Sequence, residues 1–204
     1  ALTYNGDAYI YNSINDSWSE ISNFGFQENH WVYSLAYDNE SQRAIAFDIY
    51  GDGKAYDYET NEWTSISHPG TAQGQFDGGI AYDIQSDRVI VVPSTDYPPM
   101  AYDYNTDSWE ILADHIEEDF FEQIKSCAYD IKYDRVICVS PVGGRTQAYD
   151  YNTNTWENRE DAPSGVSDFG GGMTYDHINE RIALIVPSGQ NYFYNYQTDE
   201  WNGW

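Results

Sequence analysis

The chain has 204 residues and a formal net charge of −25 at pH 7, and 17% of its residues are aromatic. A folded chain of this length buries roughly 70% of the surface that its unfolded form exposes, so folding requires neither a disulfide nor a metal. Repulsion from phosphates argues against nucleic acid or an anionic membrane as a partner. A cation, a basic protein or a neutral glycan remains compatible with this charge.

The sequence carries no segment that would insert into a membrane. It contains no run of about 18 apolar residues. The first residues, ALTYNGDAYIYN, have neither the basic start nor the apolar core of a signal peptide. We expect a secreted or cell-surface protein from which the signal has already been removed.

One phrase recurs along the chain and contains a tryptophan near its end. It reads AYIYNSINDSWS from Ala8, AYDYETNEWT from Ala55, AYDYNTDSWE from Ala101, AYDYNTNTWE from Ala148 and NYFYNYQTDEWN from Asn191. The tryptophans are separated by 45, 46, 47 and 45 residues: Trp18, Trp63, Trp109, Trp156 and Trp201. A fixed period of about 40–50 residues is typical of propellers and other repeat arrays.

A second phrase lies between the tryptophans and completes four short strands, a to d, in each period. It reads LAYDNESQRAIAF from Leu35, IAYDIQSDRVIVV from Ile80, CAYDIKYDRVICV from Cys127 and MTYDHINERIALI from Met173. We expect strand a to end in the Tyr-Asp pair, and a four-residue turn to lead into strand b, which is an apolar run. Strand c is the AYDY segment, and strand d starts at the tryptophan. This pattern favours the antiparallel blades of an all-β propeller.

The first period is incomplete, because only ALTY from Ala1 precedes its strands c and d. The predicted units are an incomplete N-terminal blade at residues 1–22 and four complete blades at residues 31–67, 77–112, 124–160 and 169–204. The ring is then either five-bladed or part of a six- or seven-bladed one. An incomplete blade could also accept a strand from a neighbouring chain, which would allow self-assembly. One helix-like segment, DHIEEDFFEQIK from Asp114, lies between blades.

The a–b turn predicts the register of the first two strands. If Asp130 faces Arg135, then Cys127 faces Cys138. The same register predicts one cross-strand Asp–Arg pair at the turn of each blade: Asp38–Arg43, Asp83–Arg88, Asp130–Arg135 and Asp176–Arg181. Cys127 and Cys138 are then either buried thiols or, in an oxidising compartment, a disulfide.

The chain resembles the kelch repeat family of β-propellers over essentially its whole length. The resemblance rests on the apolar strand b, the Tyr-Asp phrase followed by a tryptophan, and the glycine pairs at Gly78-Gly79 and Gly170-Gly171-Gly172. Kelch repeats usually place a double glycine at the end of strand b. The corresponding positions here are Pro93-Ser94, Ser140-Pro141 and Pro187-Ser188. We expect the tryptophan to pack between blades and the polar residues before it to form the c–d turn.

Loop lengths indicate which face of the propeller binds a partner. The a–b and c–d turns are short and repetitive, whereas the d–a and b–c loops are long and differ between repeats. A rigid scaffold with dissimilar loops on one face is suited to recognition. The candidate binding residues on this loop face are aromatic, basic or imidazole side chains: Phe24, Tyr97, Phe120, Arg145, His30, His68 and His115. We expect Phe24, Tyr97 and Phe120 to be exposed, and Arg145 to orient a carboxylate or sugar hydroxyls.

No cofactor is required by the sequence, but acidic loops offer a possible calcium site. The candidate ligands are Asp48, Asp52, Glu117, Glu118 and Asp119, since calcium prefers hard oxygen ligands. The three loop histidines with nearby carboxylates could instead hold zinc or iron, although they fall on separate blades. A solvated acidic loop is the simpler interpretation.

Catalytic motifs are absent. The sequence contains no P-loop, no G-x-S-x-G, no H-E-x-x-H and no dinucleotide-binding glycine pattern. We therefore predict a non-enzymatic interaction module that binds a protein or a glycan. The alternatives are a lectin-like or sugar-active propeller domain and a structural subunit of an extracellular assembly.

Overall fold

The computed structural model describes residues 7–25, 32–70, 76, 78–94, 97–114, 126–163, 172–187 and 189–204. These residues form four antiparallel four-stranded sheets and one two-stranded sheet. The two-stranded sheet consists of β1 (Ala8–Asn12) and β2 (Ser17–Ile21). The described part of the chain contains no helix that is long and apolar enough to cross a bilayer.

The four larger sheets are the blades of a propeller, and we name them A to D. Blade A contains β3 (Val32–Asp38), β4 (Arg43–Asp48), β5 (Gly53–Asp57) and β6 (Glu62–Ser65). Blade B contains β7 (Gly79–Asp83), β8 (Arg88–Val92), β9 (Met100–Asp103) and β10 (Ser108–Ile111). Blade C contains β11 (Ser126–Asp130), β12 (Arg135–Val139), β13 (Thr146–Asp150) and β14 (Thr155–Arg159). Blade D contains β15 (Gly172–Asp176), β16 (Arg181–Ile185), β17 (Tyr192–Asn195) and β18 (Glu200–Gly203).

The inner strands β3, β7, β11 and β15 contact one another in sequence order and line a central channel. Each blade runs outward from its inner strand in chain order, as predicted from the repeat. Because consecutive strands are antiparallel, the a–b and c–d turns lie at one end of the blades, which we call the turn face. The b–c and d–a connections lie at the other end, the loop face.

The predicted register of strands a and b is confirmed. Cys127 lies opposite Cys138, and Asp130 lies opposite Arg135. The equivalent pairs form in the other blades. Strand c ends at the aspartate or asparagine of the phrase, and strand d begins one residue before the tryptophan, so each strand boundary shifts by one residue from the prediction. The helix-like segment begins at Asp114, and its remainder lies outside the described residues.

The four predicted Asp–Arg pairs are confirmed as directly opposed residues of strands a and b. In blades A, B and C, however, each arginine forms its ion pair with an aspartate of strand c. Arg43 bonds to Asp57 on strand c at 2.9 Å, and the equivalent pairs Arg88–Asp103 and Arg135–Asp150 measure 3.0 and 2.8 Å. The strand a aspartates instead accept backbone N–H groups of their own turns, as Asp83 does from Gln85 and Ser86. In blade D strand c ends in asparagine, so Arg181 turns to Asp176 at 3.4 Å.

The last residue of every short turn adopts a left-handed backbone conformation. These residues have φ between 48° and 57°: Asp16, Gln42, Asn61, Asp87, Asp107, Asp134, Asn154, Glu180 and Asp199. Asn and Asp tolerate this region because their short side chains form local hydrogen bonds. The phrase tyrosine provides one such bond, since the Tyr102 hydroxyl donates to Asp107 Oδ1 at 2.8 Å.

The same turn joins each blade to the preceding one through a pair of hydrogen bonds, which we call the clamp. Asp107 Oδ1 accepts the N–H of Ser67, the second residue after β6, at 2.7 Å. Trp109 Nε1 donates to the carbonyl oxygen of Ser67 at 2.8 Å. The clamp recurs on three further residues, each bound by an Asn or Asp and a Trp of the next blade: Ser22, Ala113 and Glu160. The predicted scaffold role of the phrase is therefore confirmed.

Apolar side chains fill the space between blades inside the clamps. Ile45 and Phe47 of blade A pack with Tyr82, Val89 and Val91 of blade B in one buried cluster. Blades B and C form an equivalent cluster, which contains Cys127 and Cys138.

These cysteines form a disulfide, so the thiol alternative is wrong. A cross-link that closes a short loop stabilises by about 3 kcal/mol in the chain-entropy account.

The glycine pair before strand a permits close approach of neighbouring backbone. A Cβ atom on Gly78 would lie 1.8 Å from the Val92 carbonyl oxygen, and one on Gly79 would lie 2.3 Å from Cys127 Sγ. Both distances are far inside van der Waals contact. Gly78 is thus required by close packing within blade B, and Gly79 by packing between blades B and C.

Replacing Trp109 with phenylalanine keeps an aromatic ring but removes the Nε1 donor of the clamp. We expect the Trp109→Phe variant to lose about 1 kcal/mol of unfolding free energy, which a denaturant titration would measure. Trp18→Phe is the matched control, because Trp18 Nε1 has no clamp acceptor among the described residues. An equal loss in both variants would contradict a specific contribution of the clamp.

Gly79 and Gly172 occupy the same position of strand a but have different surroundings. We expect Gly79→Ala to destabilise the protein by about 1–3 kcal/mol, as overpacked interiors do. A Cβ atom on Gly172 meets nothing within 4 Å, so Gly172→Ala should leave the melting temperature unchanged or slightly raised. Equal melting temperatures for the two variants would show that the close approach at Gly79 is relieved without cost.

Candidate functional site

The β4–β5 loop on the loop face is held by its own polar groups. Asp48 is fully buried, and its Oδ1 accepts the N–H groups of Tyr50 and Asp52 at 2.8 and 2.9 Å. Asp52 itself is exposed. Because Asp48 Oδ1 is committed to the backbone, its first role is to fix the loop.

His68 connects this loop to the next d–a connection. Its Nδ1 accepts the N–H of Gly70 at 3.0 Å, and its Nε2 lies 3.0 Å from the carbonyl oxygen of Tyr50. With Nδ1 as acceptor, the proton is on Nε2, which donates to Tyr50. Both ring nitrogens are therefore engaged, and the imidazole acts as a bridge between two loops.

Phe24 does not have the exposure that the sequence analysis predicts. It is fully buried and packs edge-on against Trp63, with 4.6 Å between ring centroids. The loop folds back onto blade A, where Lys54 Nζ lies 5.0 Å from the Phe24 ring and donates to the carbonyl oxygens of Phe24 and Gly25. Burial lowers the pKa of Lys54, partly opposed by Asp52.

The remaining predicted residues are divided between half-buried positions and segments outside the described residues. Tyr97 and Arg145 are half-buried. The residues that lie outside the described ranges are Phe120, His30, His115, Glu117, Glu118 and Asp119. Within the described ranges, no group of three or more His, Cys, Asp or Glu side chains could hold a metal ion. The calcium site stays a prediction for the candidate ligands Glu117, Glu118 and Asp119, which lie outside the described ranges.

Exposed apolar side chains mark the described part of the loop face. Tyr50 follows β4 and is 44% exposed, and Val142 in the β12–β13 loop is also 44% exposed. Neither residue was predicted from the sequence, because Tyr and Val are common in this chain and do not stand out by residue type. Tips of b–c loops can be located from the repeat period alone.

On the turn face, the side-chain amides of asparagines donate hydrogen bonds to the carboxylates of neighbouring turns. Asn105 Nδ2 donates to Asp87 Oδ2 at 2.8 Å and to Glu40 Oε2 at 3.2 Å. Asn152 Nδ2 similarly donates to Asp134 Oδ2 at 2.7 Å. These amides bridge acidic turns of adjacent strands and blades, where a chain with 9 lysines and arginines has few cations to place.

Two strand a aspartates have raised pKa values. Burial raises the pKa of Asp83, as does the nearby Asp134, while hydrogen bonds from Ser86 and Tyr129 oppose the rise. Burial likewise raises the pKa of Asp130, whose Oδ2 is buried with no hydrogen-bond partner in the described structure. Both groups lie between blades and serve as turn caps.

A groove lies beside the first sheet, between β1 and blade A. It has a cavity of about 400 Å³. Its lining residues come from β1, from strands a to c of blade A and from the a–b and c–d turns of that blade: Ile10, Tyr37, Gln42, Arg43, Ala44, Tyr56, Asp57, Tyr58 and Glu59. A smaller cavity of about 130 Å³ includes Leu35.

Stability should depend on pH through these carboxylates. A raised folded-state pKa favours folding at low pH, so the stability due to protonated Asp83 is lost as pH rises through that pKa. Asp176 behaves oppositely, because hydrogen bonds from Asn179 and Arg181 lower its pKa, with slight burial opposing. We expect the melting temperature to rise as pH falls from 7, and then to fall below about pH 4, where ordinary aspartates protonate.

Asp83→Asn isolates one group, since the amide oxygen can still accept the turn N–H groups. This variant should melt higher than the wild type at pH 7 and show a smaller rise on acidification. Asp176→Asn is the control and should not melt higher at pH 7. A calorimetric pH series with identical slopes for Asp83→Asn and wild type would contradict the assignment.

Comparison with known proteins defines the fold. No protein-family model matches the chain, and no curated protein matches it either. Among solved structures it is similar to a chain of a crystal structure of a nidogen/laminin complex, with a TM-score of 0.66 and 11% sequence identity. The similarity covers 98% of this chain and 86% of that chain. At this identity the likeness concerns the fold alone: the chain is a β-propeller, and kelch repeats remain a resemblance in motifs.

Proposed function

We propose that the chain is a non-enzymatic interaction module that binds a protein partner through the loop face. The observation that supports this most directly is that the described loops contain both residues that fix the backbone and residues that are exposed. Asp48 and His68 hold the loops in place, while Tyr50 and Val142 present apolar surface. Rigid loops with exposed aromatic and apolar side chains are suited to protein contact.

The disulfide and the net charge indicate the compartment and the kind of partner that this proposal involves. A disulfide between Cys127 and Cys138 accords with an oxidising compartment, and hence with secretion or display at the cell surface. The similar solved structure belongs to a nidogen/laminin complex, an assembly of proteins. A net charge of −25 attracts a basic surface, so we propose a partner with a positively charged contact region.

The absence of an enzymatic role is also part of this proposal. Perturbed pKa values are typical of catalytic groups, but here they belong to Asp83, Asp130 and tyrosines such as Tyr102, which are buried between blades. Burial raises the pKa of Tyr102, with a further contribution from its hydrogen bond to Asp107. Burial in the scaffold is the main cause of each of these perturbations.

Carbohydrate binding is the second candidate, and the groove beside β1 favours it. Tyr37, Tyr56 and Tyr58 line this groove together with the Arg43–Asp57 ion pair. Aromatic rings flanked by charged hydrogen-bonding groups are suited to stacking on sugars. A role as a structural subunit of an extracellular assembly is a third candidate and depends on the same groove.

Affinity purification from the extracellular fluid of the source organism tests the loop face. The baits are the wild type, the double variant Tyr50→Asp/Val142→Asp, and the control Ile178→Asp. Ile178 is 91% exposed on the turn face, so its replacement should not disturb folding. We expect one partner to be retained by the wild type and the control but not by the double variant.

Two results would contradict the proposal. Retention of the partner by the double variant together with loss from Ile178→Asp would move the binding site to the turn face. Specific signals on a glycan array, with no protein retained by any bait, would favour the carbohydrate-binding candidate.

A further inference from the structure

The turn between β1 and β2 contains the tripeptide Asn15-Asp16-Ser17. An asparagine followed by any residue except proline and then by serine or threonine is an acceptor for N-linked glycosylation in secreted proteins. The whole sequence contains one other such tripeptide, Asn39-Glu40-Ser41. Because so short a motif also arises by chance, the surroundings of each asparagine decide whether it is suited to carry a glycan.

Asn15 occupies a position that is threonine in every complete blade. Three residues before the tryptophan of the phrase, blades A to D have Thr60, Thr106, Thr153 and Thr198. In blade B, Thr106 Oγ1 lies 2.7 Å from Ser108 Oγ, and blade C has the same bond. In the first sheet, Ser17 Oγ donates to Asn15 Oδ1 at 2.8 Å. Threonine would make an equivalent bond, so the turn does not require asparagine here.

The side chain of Asn15 is accessible. Asn15 is exposed, and so are the four equivalent threonines in blades that have all their strands. Exposure at this position therefore does not depend on what precedes β1. Asn15 Nδ2 has no hydrogen-bond partner in the described part of the chain. Asp16 is directed back to β1, where its Oδ1 accepts the Tyr11 hydroxyl at 2.6 Å. The Asn15 amide nitrogen can thus be modified without loss of a scaffold contact.

The asparagine of the second tripeptide has different surroundings. Asn39 begins the a–b turn of blade A and lines the central channel together with Ile84, Ile131 and His177, its equivalents in the other blades. The hydroxyl oxygen of Ser41 is buried in the turn. A branched glycan on Asn39 would have to extend through the mouth of the channel between these turns. The geometry therefore favours Asn15.

We propose that Asn15 carries an N-linked glycan on the turn face. The donor is an oligosaccharide that is attached to a lipid through a pyrophosphate. A bond forms between Asn15 Nδ2 and C1 of the first sugar, and the bond between C1 and the phosphate oxygen breaks. The lipid pyrophosphate leaves, and Nδ2 loses one proton.

This modification rests on the secretory location in the proposed function, but not on binding at the loop face. The Cys127–Cys138 disulfide accords with the same compartment, because disulfides form and N-linked glycans are added in the lumen of the endoplasmic reticulum. The glycan is attached to a c–d turn, so it leaves the b–c and d–a loops uncovered.

Expression in cultured animal cells behind a cleavable signal peptide tests the site. Intact mass measures the number of glycans on both the secreted and the cell-retained protein. The wild type and Ser17→Thr should each carry one glycan more than Ser17→Ala and Asn15→Thr. Asn39→Gln should carry as many as the wild type.

The variants are matched to residues that the repeat already tolerates. Asn15→Thr introduces the residue of the complete blades, and Ser17→Thr introduces the residue that blade C has at Thr155. Both should therefore fold like the wild type. In the protein from its natural source, enzymatic release of N-linked glycans in heavy-oxygen water should label position 15, because the released asparagine becomes an aspartate.

Three results would overturn the assignment. They are an unlabelled position 15 in the natural protein, equal glycan numbers on the wild type and Ser17→Ala, and loss of the glycan from Asn39→Gln alone. A natural protein that is labelled at position 15 but is absent from the extracellular fluid would support the glycan. The same result would contradict the extracellular location in the proposed function, so the two failures are distinguishable.

Discussion

The propeller depends on a small bond pattern that fastens the end of one blade to the turn of the next. A single residue after strand d has both its N–H and its carbonyl group bound, by an Asn or Asp oxygen and by a tryptophan Nε1. The left-handed conformation of the last turn residue orients its side chain. That side chain also accepts a hydrogen bond from the tyrosine of the phrase. Each repetition of the phrase therefore forms another clamp, and the repeat period of the sequence is the separation of successive clamps along the chain.

The features predictable from sequence are those that repeat. Strand order, register and the Cys127–Cys138 opposition follow from a turn of constant length and an apolar run that must be buried. The ion-pair partner of Arg43 could not be predicted, because this arginine has an aspartate within reach on two strands and backbone N–H groups compete for the strand a carboxylate. Phe24 was mispredicted because its loop occurs once, so no second copy reveals that the chain folds back.

In this acidic chain many carboxylates accept hydrogen bonds from neutral donors rather than forming ion pairs. Tyrosine hydroxyls, asparagine amides and backbone N–H groups bind carboxylates at most of the turns, where 9 basic side chains could not serve 34 acidic ones. Hydrogen bonds of this kind are less sensitive to ionic strength than exposed ion pairs. The scaffold therefore leaves its net charge available for long-range attraction of a partner while its own turns remain satisfied.

The tryptophan hydrogen bond of each clamp joins two residues that are 41 to 43 positions apart in the sequence, and it connects only adjacent sheets. The free energy of such an array is approximately a sum of unit and nearest-neighbour terms, as in a one-dimensional lattice. An interior blade is held on two sides, whereas the β1–β2 sheet is held by blade A alone among the described units. A change that breaks one clamp is therefore expected to weaken mainly the two sheets that it connects, and to leave the more distant blades nearly as stable as before.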